Sequence, residues 1–284
     1  MKIKILIPTD FSHNSLHAIR YALDLYADYA CTFYLLHIYE VDPFSIQGSA
    51  YILPKRGEEP HDLAIRKAEV QFQIFLKELE PFTKNSKHQV QSIITYDVLL
   101  KSAKELVAKK DIDMIVMGTK GKTGSASVIF GTNAITIMQG ITECPVLAVP
   151  ESLDIKAPKE IIFPTDYEGP FKRRELDCMM EIAKLQKAHI CVLHVKKSKG
   201  LTQNQQDGKA LLEAILEGVA HSFHELEHVG LQTGINAFIE SRDSDMIAFT
   251  NQKKNFFSNI FSKPLIKNLG YHSKVPILVL KNRK

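Results

Sequence analysis

The chain has 284 residues, enough for one large or two ordinary domains, and 45 % of them are hydrophobic, enough for real cores. No stretch is long and apolar enough to span a membrane, and a net charge of +4 with no tryptophan does not imply a nucleic-acid surface. Cys31, Cys144, Cys178 and Cys191 lie in apolar surroundings without C-x-x-C spacing, and Met1-Lys2-Ile3-Lys4 runs straight into a strand. Buried free thiols in the cytoplasm are therefore expected.

Ile3 to Ile7 reads as a buried strand closed by Pro8. Thr9-Asp10-Phe11-Ser12 then forms a turn, with Ser12 as helix N-cap. Ala18, Ile19, Ala22, Leu23 and Leu25 recur at helical spacing, and Phe33 to Ile38 is a second strand, which makes a right-handed crossover and a parallel sheet. Residues 40 to 60, rich in Pro and Gly, read as a long loop. A helix over His61–Leu79, a strand over Val90–Thr95, a helix over Leu99–Ala108 and a fourth strand over Ile112–Met117 follow.

The next stretch combines glycines at 118, 121, 124 and 131 with Lys120, Lys122, Thr123, Ser125, Thr132 and Asn133, and a helix continues from Gly131. A strand, a glycine loop and a helix aim backbone N–H groups and a positive helix end at an anion. Two familiar motifs fail here. Gly121-Lys122-Thr123 lacks the P-loop's first glycine, because Val116 holds that position, and Lys120 breaks the dinucleotide pattern G-x-G-x-x-G. What remains is Gly118-x2-Gly121-x9-Gly131-Thr132. A fifth strand is expected over Pro145–Val149, and Pro150 to Lys159 reads as a linker.

The pattern then restarts. Ile161 to Tyr167 mirrors Ile5 to Phe11, Val192 to Val195 mirrors Leu35 to Ile38, Ser244 to Ile247 mirrors Ile112 to Ile115, and Val275 to Val279 mirrors Cys144 to Ala148. A repeat of this size means two copies of one domain, 1–150 and 151–284. In the second copy Thr250, Lys253, Phe256, Lys263 and Pro264 replace Gly118, Gly121, Gly124, Gly131 and Thr132, so every glycine of the loop now carries a side chain.

The loop spacing, together with Ile5 to Ser12, Leu36-His37-Ile38 and Cys144 to Pro150, resembles the universal stress protein family; both copies do, as in its tandem form. The resemblance implies an α/β fold of two Rossmann-like domains, each a five-stranded parallel sheet flanked by helices. It also implies an ATP site made by Pro8, Thr9, Asp10, Ile38, Met117, Gly118, Lys120, Gly121, Gly131, Thr132 and Asn133. In that arrangement Asp10 and Ile38 flank adenine and ribose, Met117 lies beneath the nucleotide, and the loop and helix end cradle the phosphates, with room for Mg²⁺ as an optional counter-ion. His37 supports the strand end. No catalytic or metal-ligating residue is assigned, so slow ATPase activity at most is expected, and the second copy is expected not to bind ATP in this way. The resemblance further implies pairing of strands 145–149 and 276–280 into an intramolecular pseudo-dimer, with room for a further homodimer and for a nucleotide-independent, partner-recruiting role.

One motif points elsewhere. His224-Glu225-Leu226-Glu227-His228 matches H-E-x-x-H literally, and on a helix His224 and His228 would share a face beside Glu225 as base of a zinc hydrolase. The stretch is expected on the helix equivalent to His61–Leu79, away from the strand ends, and carries the charged Glu227 within the motif. Both features argue against catalysis.

Overall fold

The computed structural model describes residues 2–41, 55–120, 130–151, 154–169, 171–196, 200–250 and 275–281. The first half runs β1 Ile3–Pro8, α1 His13–Leu25, β2 Cys31–Ile38, α2 Pro60–Leu79, β3 His88–Thr95, α3 Leu99–Lys110, β4 Met114–Gly118, α4 Thr132–Gly140 and β5 Val146–Val149. The second runs β6 Glu160–Pro164, α5 Arg173–Gln186, β7 His189–Val195, α6 Gln203–Leu216, β8 His221–Leu226, α7 Leu231–Arg242, β9 Met246–Thr250 and β10 Ile277–Leu280. Gly121, most of the glycine loop and most of the residue 40 to 60 loop lie outside the described residues, as do Lys253, Phe256, Lys263 and Pro264.

The ten strands of the described residues join one sheet in the order β3-β2-β1-β4-β5-β10-β9-β6-β7-β8, so the second half repeats the first in mirrored order. Every neighbouring pair is parallel except β5 and β10, which run antiparallel with Ile277 opposite Ala148, Leu278 opposite Leu147 and Val279 opposite Val146. The central strands are buried on both faces, which explains their unbroken apolar runs. Alternate residues divide between two cores. Ile5, Ile7, Phe33, Leu35 and Val116 face α1 and α2, whereas Leu6, Leu36, Ile115 and Met117 face α3 and α4.

Each half builds its turns alike. Asp111 and Asp243 end α3 and α7 in the left-handed conformation, with φ of 51° each, and Asp113 and Asp245 accept from the backbone amides of Lys4 and Lys159 at 2.9 and 2.8 Å. The four cysteines are buried and unbridged.

One expectation is overturned. The H-E-x-x-H stretch is on no helix, because His221–Leu226 is the edge strand β8, and the counterpart of α2 is α6. Gly218, at φ +81°, turns the chain after α6, and the residues beyond it pair along β7, with His221 opposite Ile190 and Leu226 opposite Val195. His224 lies in β8 and His228 beyond its end, so the two do not share the helix face that a zinc motif of this spacing requires. Glu225 is engaged elsewhere, in ion pairs with Lys196 at 2.7 Å and Lys209 at 3.4 Å. His228 lies beyond β8 in the left-handed region at φ 57°.

Candidate functional site

Sheets of this kind bind ligands beyond the carboxyl ends of their strands, where the direction of winding reverses. In the first half that point lies between β1 and β4, and both strands end on residues singled out from the sequence.

The β1 end is held by a compact polar cluster. The Thr9 amide donates to Leu36 O at 2.8 Å, while the Thr9 hydroxyl lies 2.9 Å from Ser15 Oγ and accepts from the Phe11 amide at 3.1 Å. Ser15 Oγ donates to Ser12 O at 2.9 Å, so the proton in the Thr9–Ser15 contact comes from Thr9. Asp10 Oδ1 accepts from the Ser12 amide at 3.1 Å, and Ser12 Oγ caps α1 by accepting from the Ser15 amide at 3.2 Å. Phe11 takes φ 60°, an uncommon conformation for a bulky residue, and its ring lies 4.1 Å from that of His37 and 5.2 Å from that of Phe72. His37 supports the strand end, its Nδ1–H donating to Thr9 O at 2.9 Å. Phe11 packs half-buried against α2, and Asp10, also half-buried, stands just past the carboxyl end of β1 beside the buried Pro8 and Thr9. Ile38, half-buried, ends the adjacent β2.

The β4 end forms the base of the glycine loop. Met117 and Gly118 are buried, and the next residue, Thr119, is 3 % exposed. Its amide donates to Val149 O at 3.0 Å, and its carbonyl accepts from the Gly131 amide at 2.7 Å. The loop therefore leaves and returns at one pinned point. Lys120 O accepts from Asn14 Nδ2 at 2.7 Å. Gly131 occupies the N-cap position of α4, which has no side-chain cap. Thr132 and Asn133 open the helix exposed. The amides of that first turn have no acceptor within the helix, which is the kind of donor set that can meet an anion.

Two glycines have tasks that sequence reasoning missed. The Gly131 amide is used within the protein, on Thr119 O. At Gly118 a Cβ would stand 3.0 Å from Asn14 Cγ and 3.1 Å from Asn14 O, so the small residue there makes room for α1. Asn14 went unnoticed because an asparagine in a first helical turn is ordinary in sequence; only its approach to β4 distinguishes it. A second feature missed is the ring cluster of Tyr39, His61 and Tyr96 at the ends of β2 and β3, in which Tyr39 Oη and His61 Nε2 lie 2.9 Å apart.

The second half keeps the turn and fills the space around it. Asp166 Oδ1 accepts from the Glu168 amide at 3.1 Å, Tyr167 takes φ 61°, and its ring stacks on His194 at 4.7 Å. Gln205 Nε2 on α6 donates to Asp166 O at 3.0 Å. Gly208 lies so close that a Cβ would fall 2.0 Å from Tyr167 O. At the ends of β7 and β8, Lys196 reaches Glu225 at 2.7 Å and Glu227 at 2.8 Å. Those hydrogen bonds push its amine up to about 12 and hold both carboxylates below their ordinary range. Thr250 stands where the first half has Gly118.

Comparison with known proteins agrees with this geometry. The sequence profile described as the universal stress protein family matches residues 1–150. Over 146 residues the chain is 30 % identical to a universal stress protein of Methanocaldococcus jannaschii, an alignment that spans 51 % of this chain and 81 % of that protein. Among solved structures, a universal stress protein from Archaeoglobus fulgidus superimposes with a TM-score of 0.67 at 16 % identity, over 99 % of this chain and 97 % of that one. A functionally unknown protein from Pseudomonas aeruginosa follows at 0.61 and 12 %, over 98 % and 92 %. At those identities the structures speak for the fold alone, and both extend it over the two mirrored halves. With the matched segment ending where β5 ends and the repeat beginning anew beyond it, the chain belongs to the universal stress protein family.

Proposed function

We propose that the first half, residues 1–150, binds ATP with Mg²⁺ as counter-ion, and that the protein is a nucleotide-gated module of a cytoplasmic stress response. One observation carries the reading: Asp10 and the pinned base of the Gly118-x2-Gly121-x9-Gly131-Thr132 loop meet at the switch point between β1 and β4, beside the uncapped start of α4. Asp10 and Ile38 would flank ribose and adenine, with Pro8 and Thr9 at the strand end and Met117 beneath the nucleotide. The phosphates would meet Lys120, Gly121 and the amides of Thr132 and Asn133. Asp10 already holds the Ser12 amide, a role suited to a turn and a ribose contact rather than to a general base, so hydrolysis is slow at most.

The second half, residues 151–284, is read as a partner that takes no ATP at the equivalent place, since Thr250 replaces Gly118 and Gln205 and Gly208 close on the Asp166–Tyr167 turn. Through β5 and β10 the two halves act as a built-in pseudo-dimer. The same crowding favours a second reading, in which the protein recruits partners without regard to nucleotide.

The test is nucleotide stoichiometry. Purified protein is titrated with Mg-ATP, denatured, and its adenine nucleotide counted, then the experiment is repeated with Gly121→Asp. One ATP per chain, lost in the variant, supports the proposal. Two per chain would overturn the silent second half, and none would favour the nucleotide-independent reading.

A further inference from the structure

Among the described residues the sheet has two outer edges, β3 and β8, and the chain treats them differently. Strand β8 is six residues long, and its Glu225 is engaged by Lys196 and Lys209. Charges of this kind keep an edge from pairing with another chain. Strand β3, His88–Thr95, is eight residues long and has no Lys, Arg, Asp, Glu or Pro. The carbonyls of Lys87 and Thr95 accept from the amides of Cys31 and Tyr39 at 3.0 and 3.1 Å, so the odd-numbered residues bond to β2. The even-numbered ones, Ser92 among them, turn their N–H and C=O groups to the open side. The flank of this edge is apolar as well. Val90 and Ile94 pack onto the core beneath α2, while Ser92 between them is small and exposed. Beside it runs an open groove of about 610 Å³ between β3 and α2, lined on the helix by Val70, Gln73 and Ile74. Val70 is 39 % exposed and Ile74 54 %. Apolar side chains beside an uncharged strand edge make a surface suited to burial by a partner.

Charge decides which partner. Glu69 and Lys77 line the same groove, both exposed, and each stands four residues from Gln73. At that spacing the three share one face of α2. A face with a carboxylate at one end, an ammonium at the other and apolar residues alongside is complementary to itself under a two-fold rotation. We propose that a second copy of this chain docks here, about a two-fold axis through the groove. Strand β3 runs antiparallel beside the β3 of the other copy, and Glu69 of each meets Lys77 of the other. Val70 and Ile74 from both copies close the groove between the helices. The chain uses the same device internally, where β5 and β10 meet antiparallel at the centre of the sheet. This contact does not depend on the ATP reading.

The test is sedimentation equilibrium of the full-length chain without added nucleotide, on wild type and on four variants of exposed α2 residues, with circular dichroism to confirm that each is folded. Wild type should form dimers below about 100 μM. Ile74→Glu, which puts a charge into the groove, should leave only monomer. Glu69→Lys or Lys77→Glu alone sets like charges together at both symmetric contacts and should weaken the dimer by about tenfold. The combined Glu69→Lys, Lys77→Glu variant restores opposite charges at both contacts, and its affinity should return to within about threefold of wild type. That recovery is expected only if the partner is another copy of the same face. A wild type that stays monomeric to about 100 μM overturns the proposal. So does a dimer indifferent to Ile74→Glu or to the single reversals, which would use another surface, and so does one that the double reversal fails to restore.

Discussion

Lys281, just past β10, donates from Nζ to Met138 O at 3.0 Å, tying the last strand of the second half to the last turn of α4 in the first. Helix α4 carries no basic residue in its own last turn, so the cation that complements its carboxyl end comes from the other half. In the repeat, Lys281 falls where the first half has Pro150, so the contact belongs to one side of the junction only.

Lys281 is 5 % exposed, and burial pushes its amine down to about 8 from an ordinary 10.5, with the Cys144 thiol and Glu143 pulling the other way. Below pH 8 both folded and unfolded chains carry the proton, and the folded state bears the full cost of a buried charge. Between about pH 8 and 10.5 the unfolded chain holds a proton that the folded one has released, so this group makes stability rise with pH. Cys31 and Cys191, pushed up to about 12 and about 11, act oppositely, because there the folded state keeps the proton longer. Comparison with Lys281→Met cancels them. Denaturant unfolding from pH 7 to 10 should show wild type gaining about 1–3 kcal/mol on the variant. A difference that stays flat with pH would show that the amine is not the titrating group.

Much of this architecture is legible in the sequence, and the exceptions share a cause. Ile5–Pro8 and Met114–Gly118 announce themselves because strand segments buried on both faces are apolar throughout. Strand β8 misleads because an edge strand needs no such run: His221, Ser222, His224 and Glu225 are polar, and a literal zinc motif lies across its end. Glycines in the loop can be counted from sequence, but the neighbour that each one admits cannot. Asn14, 104 positions before Gly118 in the chain, is brought to it only by the packing of α1 on β4. The antiparallel junction of β5 and β10 is likewise a meeting of distant segments, and its register of Leu278 on Leu147 is set by packing of both faces.

Tyr167 offers a simpler test. Its ring is fully buried against His194 and Phe223, and its hydroxyl has no hydrogen-bond partner among the described residues. The first half has Phe11 at this position of the repeat. Tyr167→Phe therefore removes a desolvated donor and leaves the stacking in place. Stability should rise by about 1 kcal/mol, read as a melting temperature higher by about 2–4 °C for a chain of this size. A variant that melts below wild type would show that the hydroxyl is paired in solution.

Thr9 and Thr165 together separate stability from binding. Each ends its strand by accepting, through its hydroxyl, the amide of the aromatic residue two positions on, Phe11 at 3.1 Å and Tyr167 at 3.0 Å. Each also has its carbonyl held by a histidine, His37 at 2.9 Å and His194 at 2.8 Å. Valine matches threonine in shape and leaves the aromatic amide without its acceptor, so both substitutions should cost about 1–3 kcal/mol. Only one of the two turns adjoins a glycine loop. Thr9→Val should therefore also weaken ATP binding several-fold, by loosening the turn that presents Asp10, whereas Thr165→Val should leave ATP affinity unchanged at temperatures where the variant is folded. Parallel melting curves and titrations of the two variants decide the matter. Equal losses of ATP affinity would mean that the second half shares in the site, and no loss in either would mean that Asp10 does not contact the nucleotide.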